Sequence, residues 1–422
     1  FLIPVIQRIK KESNQGKVFA IFVYPTKALA RDQYPKIKKF ADKIKINVKV
    51  FDGDTKIEER REIIETPPEI LVTNFDVLHY HLWHQTKFSS ILNSTEVLVI
   101  DEAHVYSGIF GSNVHYIIKR LKRICNNKLQ FVAASATLDD AKTFCEQLFG
   151  EKMQLIKGSG KKGETDFVML FPSLRTQRKL MVELTKKLTD KNHKTMVFSN
   201  SHLNAELLAM QAKKQKINIK VHRAGLMANY RMSVEKQFKE DKLQAISCTP
   251  TLELGIDVGN VDCVISSTIP VNRLTQRIGR AARKGQRGYA FLTLGNDPIS
   301  QYYKNHPDDY FEDIEKTYID PKNPFVEEFQ ILAMACDKPI SKHELKEHQE
   351  AIEQHIIKEN IIESNNRIIP NFEKINSILN NYSIRGIGKS IDIFLNEKKI
   401  GDRTLPIALE ELHKDAIYFL AG

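Results

Sequence analysis

The sequence predicts an α/β fold in which the strands of a parallel sheet alternate with helices, and it predicts two such units in tandem. Fully apolar runs of strand length, such as residues 18–24 and 97–100, are typical of strands buried on both faces of a sheet. Stretches with helical periodicity, such as residues 2–12 and 113–125, lie between them. Polar residues follow the apolar runs directly, at the sheet edge where this fold class binds ligands.

The first unit is predicted to consist of the strands 18–24, 47–51, 70–74, 96–100 and 130–137. The fourth of these ends in Asp101 and Glu102. Beside the phosphates of a nucleotide, Asp101 can hold Mg²⁺ and Glu102 can orient and deprotonate an attacking water. On its own, this pair is equally consistent with an acidic turn after a core strand.

A glycine-rich segment, residues 158–163, follows the first unit. It resembles a phosphate-binding loop only superficially, because its first glycine is misplaced and Lys162 stands where Ser or Thr would bind the metal. We interpret it as a linker. The second unit is predicted from the strands 195–199, 220–222, 245–248, 263–265 and 289–293.

The pattern changes after about residue 298. An aromatic and polar connector is followed by predicted helices and by a hairpin between Ile361 and Ile369, in the size and order of a winged-helix module. From Tyr382 onward short strands predominate. The predicted domain boundaries are 1–157, 165–297, 298–324 for the connector, 325–372 for the winged-helix-like region and 373–422 for a β-rich segment that we expect to continue further.

Composition restricts the class of protein. The 422 residues suffice for two to four domains, and 42% hydrophobic with 27% charged residues is typical of a globular protein. No apolar run is long enough to predict a membrane span. The five cysteines are scattered without a C-x-x-C pair, which argues against a disulfide framework or a zinc site and favours a reducing cytoplasm.

The net charge of +11 is distributed unevenly. Residues 1–320 carry 50 Lys and Arg against 36 Asp and Glu, whereas residues 321–422 carry 13 against 16. The basic excess therefore lies in the two α/β units and favours a polyanionic partner such as nucleic acid. A lysine-rich solvated surface is the alternative.

Seven short motifs follow the predicted strands in order. They are Y-P-T-K-A-L from Tyr24, T-N-F-D from Thr73, D-E-A-H from Asp101, S-A-T from Ser135, V-F-S-N-S from Val197, T-L-E-L-G-I-D from Thr251 and Q-R-I-G-R-A-A-R from Gln276. The series resembles that of superfamily 2 helicases, the DEAD/DEAH-type ATP-driven motors. Segments 51–55, 104–114, 222–225 and 383–386 further resemble the bacterial mitomycin-repair helicases and their archaeal and fungal relatives. The resemblance implies two RecA-like domains followed by a winged-helix-like region and a β-rich segment.

The resemblance also implies roles for individual residues. Catalysis would belong to Glu102, Gln276, Arg280 and Arg283, and nucleotide binding to Asp101, His104, Gly255 and Asp257, with Asp101 also holding Mg²⁺. Arg280 and Arg283 are predicted one helical turn apart, so that both guanidiniums project across the cleft towards the γ-phosphate. An ordinary basic helix face is the alternative. Ala282 replaces the second glycine of the family's usual Gly-Arg-Ala-Gly-Arg pattern.

A third set of polar residues lies at predicted strand ends or helix starts. Hydroxyls, amides and helix N-terminal N–H groups bind phosphate oxygens without reading bases, which suits a motor that moves over any sequence. The nucleic-acid-binding candidates are Thr26, Lys27, Thr73, Asn74, Ser199, Asn200 and Thr249. Helix capping is the alternative for such residues. By resemblance, Ser135 and Thr137 would couple the nucleotide site to the nucleic acid.

The family's Gly-x-x-x-x-Gly-Lys-Thr loop does not occur in the sequence. The opening helix, residues 1–11, resembles the helix that should follow that loop. We therefore expect the natural protein to extend upstream, and these 422 residues alone to hydrolyse ATP poorly, because the loop is the main cradle for the phosphates and Mg²⁺. The family's four-cysteine zinc domain does not occur either, so no zinc is predicted.

The function expected from the resemblance is that of an ATP-dependent 3′→5′ DNA helicase or translocase acting in DNA repair in the cytoplasm. An RNA helicase is an alternative, because motor motifs do not distinguish the sugars. A non-catalytic nucleic-acid-binding module is another, if the phosphate-binding loop is truly missing. A duplex translocase that remodels protein–DNA complexes without unwinding is the third.

Overall fold

In the computed structural model, the described residues are 1–12, 16–158, 164–253, 258–281, 287–364, 367–386, 390–405, 408–409 and 412. They form two compact units. The first comprises Phe1–Leu155 with Thr317–Lys389, and the second Ile156–Lys316 with the described part of Ser390–Gly422. The chain thus returns to the first unit after completing the second sheet.

The first unit is built on a parallel sheet whose order, among the described residues, is β2-β3-β1-β4-β5. Its strands are β1 (Ala20–Val23), β2 (Val48–Val50), β3 (Ile70–Thr73), β4 (Val97–Ile100) and β5 (Gln130–Ala133). Every residue of β1, β3 and β4 is buried, because helices cover both faces of the sheet. The carboxyl ends of these three strands therefore lie side by side at one sheet edge.

The helices that connect these strands carry one apolar face each. They are α1 (Leu2–Glu12), α2 (Lys27–Ala41), α3 (Ile57–Glu65), α4 (Phe75–Trp83), α5 (Lys87–Ile91), α6 (Gly108–Ile124) and α7 (Ala141–Phe149). In α1, for example, Val5, Ile6 and Ile9 are buried and the last turn carries Lys10 and Lys11. This spacing is that of a helix lying on a sheet.

The second unit repeats the arrangement with a parallel sheet of order β6-β11-β10-β7-β9-β8 among the described residues. Its strands are β6 (Thr165–Leu170), β7 (Thr195–Phe198), β8 (Ile219–His222), β9 (Ala245–Cys248), β10 (Cys263–Ser267) and β11 (Gly288–Thr293). Its helices are α8 (Gln177–Asp190), α9 (His202–Lys214), α10 (Ala228–Lys239), α11 (Val271–Ile278) and α12 (Pro298–Asn305). The central strands β7, β9 and β10 are fully buried.

The remaining elements belong to the small C-terminal part of the chain. They are α13 (Pro324–Asp337), β12 (Ile340–Ser341), α14 (Lys342–Leu345), α15 (Gln349–Ile357), β13 (Ile361–Ser364), β14 (Arg367–Pro370), α16 (Phe372–Asn380), β15 (Ser390–Leu395) and β16 (Lys398–Thr404). β12, β14 and β13 form a small antiparallel sheet, and β15 pairs with β16 in a separate antiparallel hairpin. The order from α13 to β14 is one helix, a short strand, two helices and a hairpin. A winged-helix module has the same order of elements.

Helix α13 attaches this region to the first unit through a buried ion pair. Arg120 of α6 and Asp337 at the end of α13 are both 0% exposed, with Nε–Oδ2 and Nη2–Oδ1 distances of 2.6 and 2.8 Å. Arg120 also donates to Nδ1 of His79 at 2.7 Å and to Gln330 Oε1 at 3.0 Å. All of the guanidinium's polar edge is thus occupied within the protein, as a buried charge requires.

The predicted fold class is confirmed: two parallel α/β sheets in tandem, a winged-helix-like region and a short β-rich segment. Three differences from the prediction exceed a shift of one or two residues in an element's bounds. The strand predicted over 130–137 ends at Ala133, the helix predicted from 113 begins at Gly108, and β6 was not predicted. The linker segment 159–163 lies outside the described residues. None of the described helices combines the length and apolar character needed to cross a membrane.

Candidate functional site

The acid pair Asp101–Glu102 follows the buried strand β4 directly, as predicted. The backbone N–H of Asp101 donates to the carbonyl of Val23 in β1 at 3.1 Å, and Ala103 donates to Ala134 at 2.9 Å. The turn is therefore tied to the strands on both sides of β4. Both carboxylates remain partly accessible at the carboxyl end of the sheet, which is where ligands bind in this architecture.

Glu102 has a left-handed backbone conformation, with φ 51° and ψ 49°. Residues other than glycine adopt this region at a cost of about 1–2 kcal/mol. The turn is stabilised by the N–H of Glu102, which donates to Oδ1 of Asp101 at 2.9 Å. Strain of this kind is concentrated at functional sites, where the surrounding structure enforces it.

Burial raises the pKa of the Asp101 carboxyl, and the hydrogen bond from the Glu102 N–H opposes this effect. A neighbouring divalent cation would stabilise the ionised form of such a carboxylate. Among the described residues there is no group of three or more His, Cys, Asp and Glu that could hold a metal ion alone. Mg²⁺ needs only one or two carboxylates when phosphate oxygens and water complete its shell, so the acid pair fits it.

His104 connects the acid pair to the next strand end. Its Nδ1 lies 3.0 Å from the hydroxyl of Ser135, which follows β5, and its ring is 3.6 Å from Oε2 of Glu102. Thr137 lies two residues further along the same loop and is half-buried. A change at the acid pair can thus reach the Ser135 loop through one side chain.

The candidates Thr26 and Asn74 are both helix N-caps. The Thr26 hydroxyl accepts from the N–H of Leu29 at 3.2 Å, at the start of α2, and Asn74 Oδ1 accepts from Val77 at 3.0 Å, at the start of α4. Their side chains therefore perform the capping role that was the alternative interpretation. Each cap accepts from one N–H of the first turn, and the other N–H groups of a helix start can bind an anion. The start of α2 is partly exposed, whereas Asn74 and Phe75 at the start of α4 are 7% and 1% exposed.

Lys27 and Thr73 differ in accessibility. Lys27 is partly exposed and forms an ion pair with Asp54, with Nζ–Oδ1 2.7 Å. Thr73 is 0% exposed, and its hydroxyl donates to the carbonyl of Phe51 at 2.7 Å. The Thr73 side chain thus holds neighbouring chain segments together, whereas Lys27 can reach a ligand.

In the second unit, the candidates Ser199, Asn200 and Thr249 follow β7 and β9. Ser199 and Thr249 are each 3% exposed. Asn200 is exposed, and its Nδ2 donates to the carbonyl of Thr268 at 2.7 Å. The three residues therefore lie at the carboxyl end of the second sheet, with Asn200 the most accessible of them.

Arg280 does not lie on a helix, whereas Arg283, which was predicted one helical turn from it, lies outside the described residues. Helix α11 ends at Ile278 and is capped by Gly279, so Arg280 lies in the turn that follows. Glycine carries no side chain to stabilise another helical turn, and its entropy disfavours one. Arg280 is 7% exposed, and its Nη2 donates to the backbone carbonyl of Glu253 at 2.8 Å. Gln276 is half-buried near the end of α11.

Sequence reasoning missed Arg277 and Glu253. Arg277 is 0% exposed and donates from Nε to Glu253 Oε1 at 2.5 Å and from Nη1 to the hydroxyl of Ser266 at 2.7 Å. Burial lowers the pKa of its guanidinium and the Glu253 carboxylate raises it. Arg273 also reaches both Glu253 oxygens at 3.2 Å. Arg273 precedes Arg277 by four residues, so both lie on the same face of a helix. This spacing was the one signal in the sequence for a shared acidic partner.

Three predicted site residues, Gly255, Asp257 and Arg283, lie outside the described residues. Asp101, Glu102, His104 and Ser135 are brought together in the first unit. In the second unit Glu253 contacts both Arg277 and Arg280, and Nη2 of Arg277 lies 3.4 Å from Asn200 Oδ1.

Each of the two units matches the model of a known helicase domain family. Residues 1–144 match the DEAD/DEAH box helicase family, and residues 176–285 match the helicase conserved C-terminal domain. An ATP-dependent helicase of Methanocaldococcus jannaschii is 31% identical over 381 residues, covering 85% of this chain and 56% of the relative. The ATP-dependent helicase YprA of Bacillus subtilis is 31% identical over 345 residues, covering 76% of this chain and 46% of the relative. The chain thus spans about half the length of these relatives.

The similar solved structures are also helicases, in agreement with the family matches. The DUF1998 helicase MrfA bound to DNA and AMPPNP superimposes with a TM-score of 0.85 at 28% identity, covering 99% of this chain and 62% of that one. The match extends through the small C-terminal region, beyond both family domains.

Proposed function

Because the chain belongs to the DEAD/DEAH box helicases, we propose that it is the motor portion of an ATP-dependent DNA helicase or translocase. The observation that carries this proposal is the acid pair Asp101–Glu102, held in a strained turn at the carboxyl end of a buried parallel strand. The relatives are named ATP-dependent helicases, and a structure similar over 99% of the chain was solved with DNA.

The residues of the two units divide the chemistry of ATP hydrolysis. Bound Mg²⁺ would neutralise phosphate charge, and Asp101 is the residue that would hold it. Glu102 takes a proton from the attacking water, and its side chain is partly accessible at the end of β4. Arg280 and Arg283 would stabilise negative charge on the γ-phosphate, with Gln276 beside them. Gly255 and Asp257 would contact the nucleotide, as would His104.

The nucleic acid would be bound through its phosphates at the strand ends of both units. In the first unit the N-termini of α2 and α4 and the ammonium of Lys27 would bind the backbone, with Thr26, Thr73 and Asn74 holding those loops in shape. In the second unit Ser199, Asn200 and Thr249 would do the same. Contacts of this kind are independent of base sequence, as translocation requires.

The link between hydrolysis and movement would pass through the loop of Ser135 and Thr137. His104 contacts both Glu102 and Ser135. A shift of the acid pair on loss of the γ-phosphate would therefore move the Ser135 loop as well. We propose 3′→5′ movement, DNA as the substrate and a role in DNA repair. The five free cysteines support a reducing, cytoplasmic setting. We also propose the domain boundaries predicted from the sequence, which are 1–157, 165–297, 298–324, 325–372 and 373–422.

Strand displacement by the full-length protein tests the proposal. Duplexes with a 3′ or a 5′ single-stranded tail are incubated with ATP, and matched RNA duplexes are run in parallel. We expect ATP-dependent displacement from DNA with a 3′ tail, and ATP hydrolysis accelerated by single-stranded DNA. Stimulation by RNA alone would favour an RNA helicase, and DNA-dependent ATP hydrolysis without strand separation would favour a remodelling translocase.

A further inference from the structure

Arg385 lies far along the chain from the first sheet and yet contacts two of its strand-end loops. It follows α16, in the segment 383–386, beyond both motor domains in sequence. Its guanidinium contacts Asp76 with Nε–Oδ1 2.9 Å, Nε–Oδ2 3.1 Å and Nη2–Oδ2 2.6 Å. The same Nη2 donates to the backbone carbonyl of Pro25 at 2.7 Å.

The two contacted residues flank the proposed phosphate-binding positions. Pro25 directly precedes Thr26, the N-cap of α2, and Asp76 lies in the first turn of α4, two residues after its N-cap Asn74. One guanidinium thus joins the N-terminal ends of the two helices that would bind the nucleic-acid backbone. The planar fork of arginine suits this geometry, since it can direct parallel N–H groups to a carboxylate and another to a carbonyl.

The segment that carries Arg385 is itself anchored. Ile384 is 4% exposed within the core of the first unit, and its carbonyl accepts from Asn113 Nδ2 at 3.3 Å. The hydroxyl of Tyr382 donates to Asn113 Oδ1 at 2.7 Å. Arg385 also packs over the ring of Phe110, with 4.6 Å from Cζ to the ring centroid. The segment that carries Arg385 is therefore held against α6, and the Arg385 guanidinium connects it to Pro25 and Asp76. We call this connection the brace.

We propose that Arg385 is a positioning residue for nucleic-acid binding, which sets the spacing of the α2 and α4 N-termini by holding Pro25 and Asp76 together. This inference rests on the proposed function. Two N–H clusters bind successive phosphates only when their separation matches the backbone repeat, so preorganised loops bind more tightly than mobile ones. Removing the brace would weaken binding without removing any group that touches the strand.

The competing account is that Arg385, which is 41% exposed, contacts a phosphate directly. Substitution of Asp76 separates the two accounts. Asp76→Asn removes an anion and releases the arginine, so a direct phosphate contact would be strengthened and affinity would rise. If Arg385 acts as a brace, the same substitution loosens the loops and affinity falls.

The experiment measures the affinity of the 422-residue chain for fluorescein-labelled single-stranded oligo-dT by anisotropy over a series of salt concentrations. Each variant's thermal unfolding midpoint is measured beside its affinity to establish that it folds. For Arg385→Gln, Arg385→Lys and Asp76→Asn we expect Kd to rise about tenfold, equivalent to one hydrogen-bonded contact. The dependence of log Kd on log salt should stay unchanged, because no cation is removed from a phosphate. Arg287→Gln is the matched control, since Arg287 forms a similar two-bonded pair with Asp166 at the amino end of β11.

The outcomes distinguish the inference from the proposed function. If Arg385→Lys binds like the unaltered chain, or Asp76→Asn binds more tightly, the brace is overturned and the motor proposal stands. A shallower salt dependence in Arg385→Gln has the same meaning. If the unaltered chain does not bind single-stranded DNA, the proposed function fails and the brace fails with it.

Discussion

Arg277 and Glu253 form a buried ion pair at the carboxyl end of the second sheet, with 2.5 Å between Nε and Oε1 and exposed fractions of 0% and 6%. Glu253 lies in the T-L-E-L-G-I-D motif and Arg277 in the Q-R-I-G-R-A-A-R motif. The backbone carbonyl of the same glutamate accepts from Arg280. Glu253 thereby contacts both Arg277 and Arg280, of which Arg280 belongs to the proposed nucleotide site.

Glu253→Gln is expected to destabilise the second unit and to slow ATP hydrolysis. The substitution leaves the buried guanidinium of Arg277 without its counter-ion, which costs about 3 kcal/mol in the free energy of unfolding. This lies at the low end of the range because Ser266 still accepts from Arg277. Urea denaturation measures the first effect, and steady-state ATP turnover by the full-length protein measures the second. As the control, Asp166→Asn removes the partner of the exposed Arg287 and should leave both nearly unchanged. A Glu253→Gln protein as stable as the parent would contradict the structural role of the pair.

Glu102→Gln is expected to abolish most ATP turnover while leaving nucleic-acid binding intact. Glutamine keeps the size of the side chain but cannot take a proton from water, and loss of a general base lowers the rate by about 10²–10⁴-fold. The measurement is ATP turnover by the full-length protein at saturating single-stranded DNA, beside the affinity for that DNA. Turnover close to that of the parent would show that Glu102 is not the base.

Glu102→Gly tests the strain in the same turn. The left-handed conformation costs a non-glycine residue about 1–2 kcal/mol, and glycine loses about 0.5–1 kcal/mol more in entropy on folding. The net expectation is a protein more stable by about 0.5–1 kcal/mol that does not hydrolyse ATP. A lower unfolding midpoint for Glu102→Gly would mean that the Glu102 side chain stabilises the turn by more than the strain.

The sequence was sufficient for the sheets and the acid pair because both depend on local patterns. A buried parallel strand is an uninterrupted apolar run, and Asp101 follows one directly. The edge strand β6 was missed because its residues are half-buried or, at Val168, exposed, and Asp166 interrupts the apolar run. Arg280 lies beyond α11 for a local reason too, since Gly279 caps the end of that helix.

The contacts that hold the sites in position could not be predicted in the same way. Arg120 and Asp337 are 217 residues apart, and Arg385 and Asp76 are 309 apart. Nothing in the residues near either partner indicates which opposite charge it will meet. These pairs follow from the return of residues 317–389 to the first unit, which is a property of topology.

Gly111→Ala is expected to destabilise the first unit by about 1–3 kcal/mol, the usual effect of overpacking. A Cβ at Gly111 would lie 2.2 Å from the Ile319 side chain and 2.2 Å from the Tyr106 carbonyl oxygen. The carbonyl is backbone, so relief requires α6 to move. Gly53→Ala is the matched control, because no heavy atom lies within 4 Å of a Cβ at that position. Urea denaturation of both variants decides the matter, and equal stabilities would show that α6 can adjust freely.

The histidines of α4 are expected to make stability depend on pH below neutrality. Burial lowers the pKa of His81 to about 4, with the charges of Arg60 and His84 adding to the effect. Burial and the charge of Arg120 likewise hold the pKa of His79 well below its ordinary value. In the unfolded chain a histidine titrates near 6.5. Between about pH 6.5 and 4 the unfolded chain therefore binds protons that the folded chain does not, so stability falls as the pH falls through this window.

His81→Gln isolates one contribution to this dependence. The ring of His81 packs against both Phe51 and Phe88, with centroid distances of 5.2 and 4.9 Å, so the variant should be less stable at every pH. It should nevertheless lose less further stability than the parent between pH 7 and pH 5, because one titrating group is gone. Urea midpoints at the two pH values provide the comparison, with the exposed His306→Gln as control. An undiminished slope in His81→Gln would mean that its imidazole becomes protonated in the folded protein as readily as in the unfolded chain.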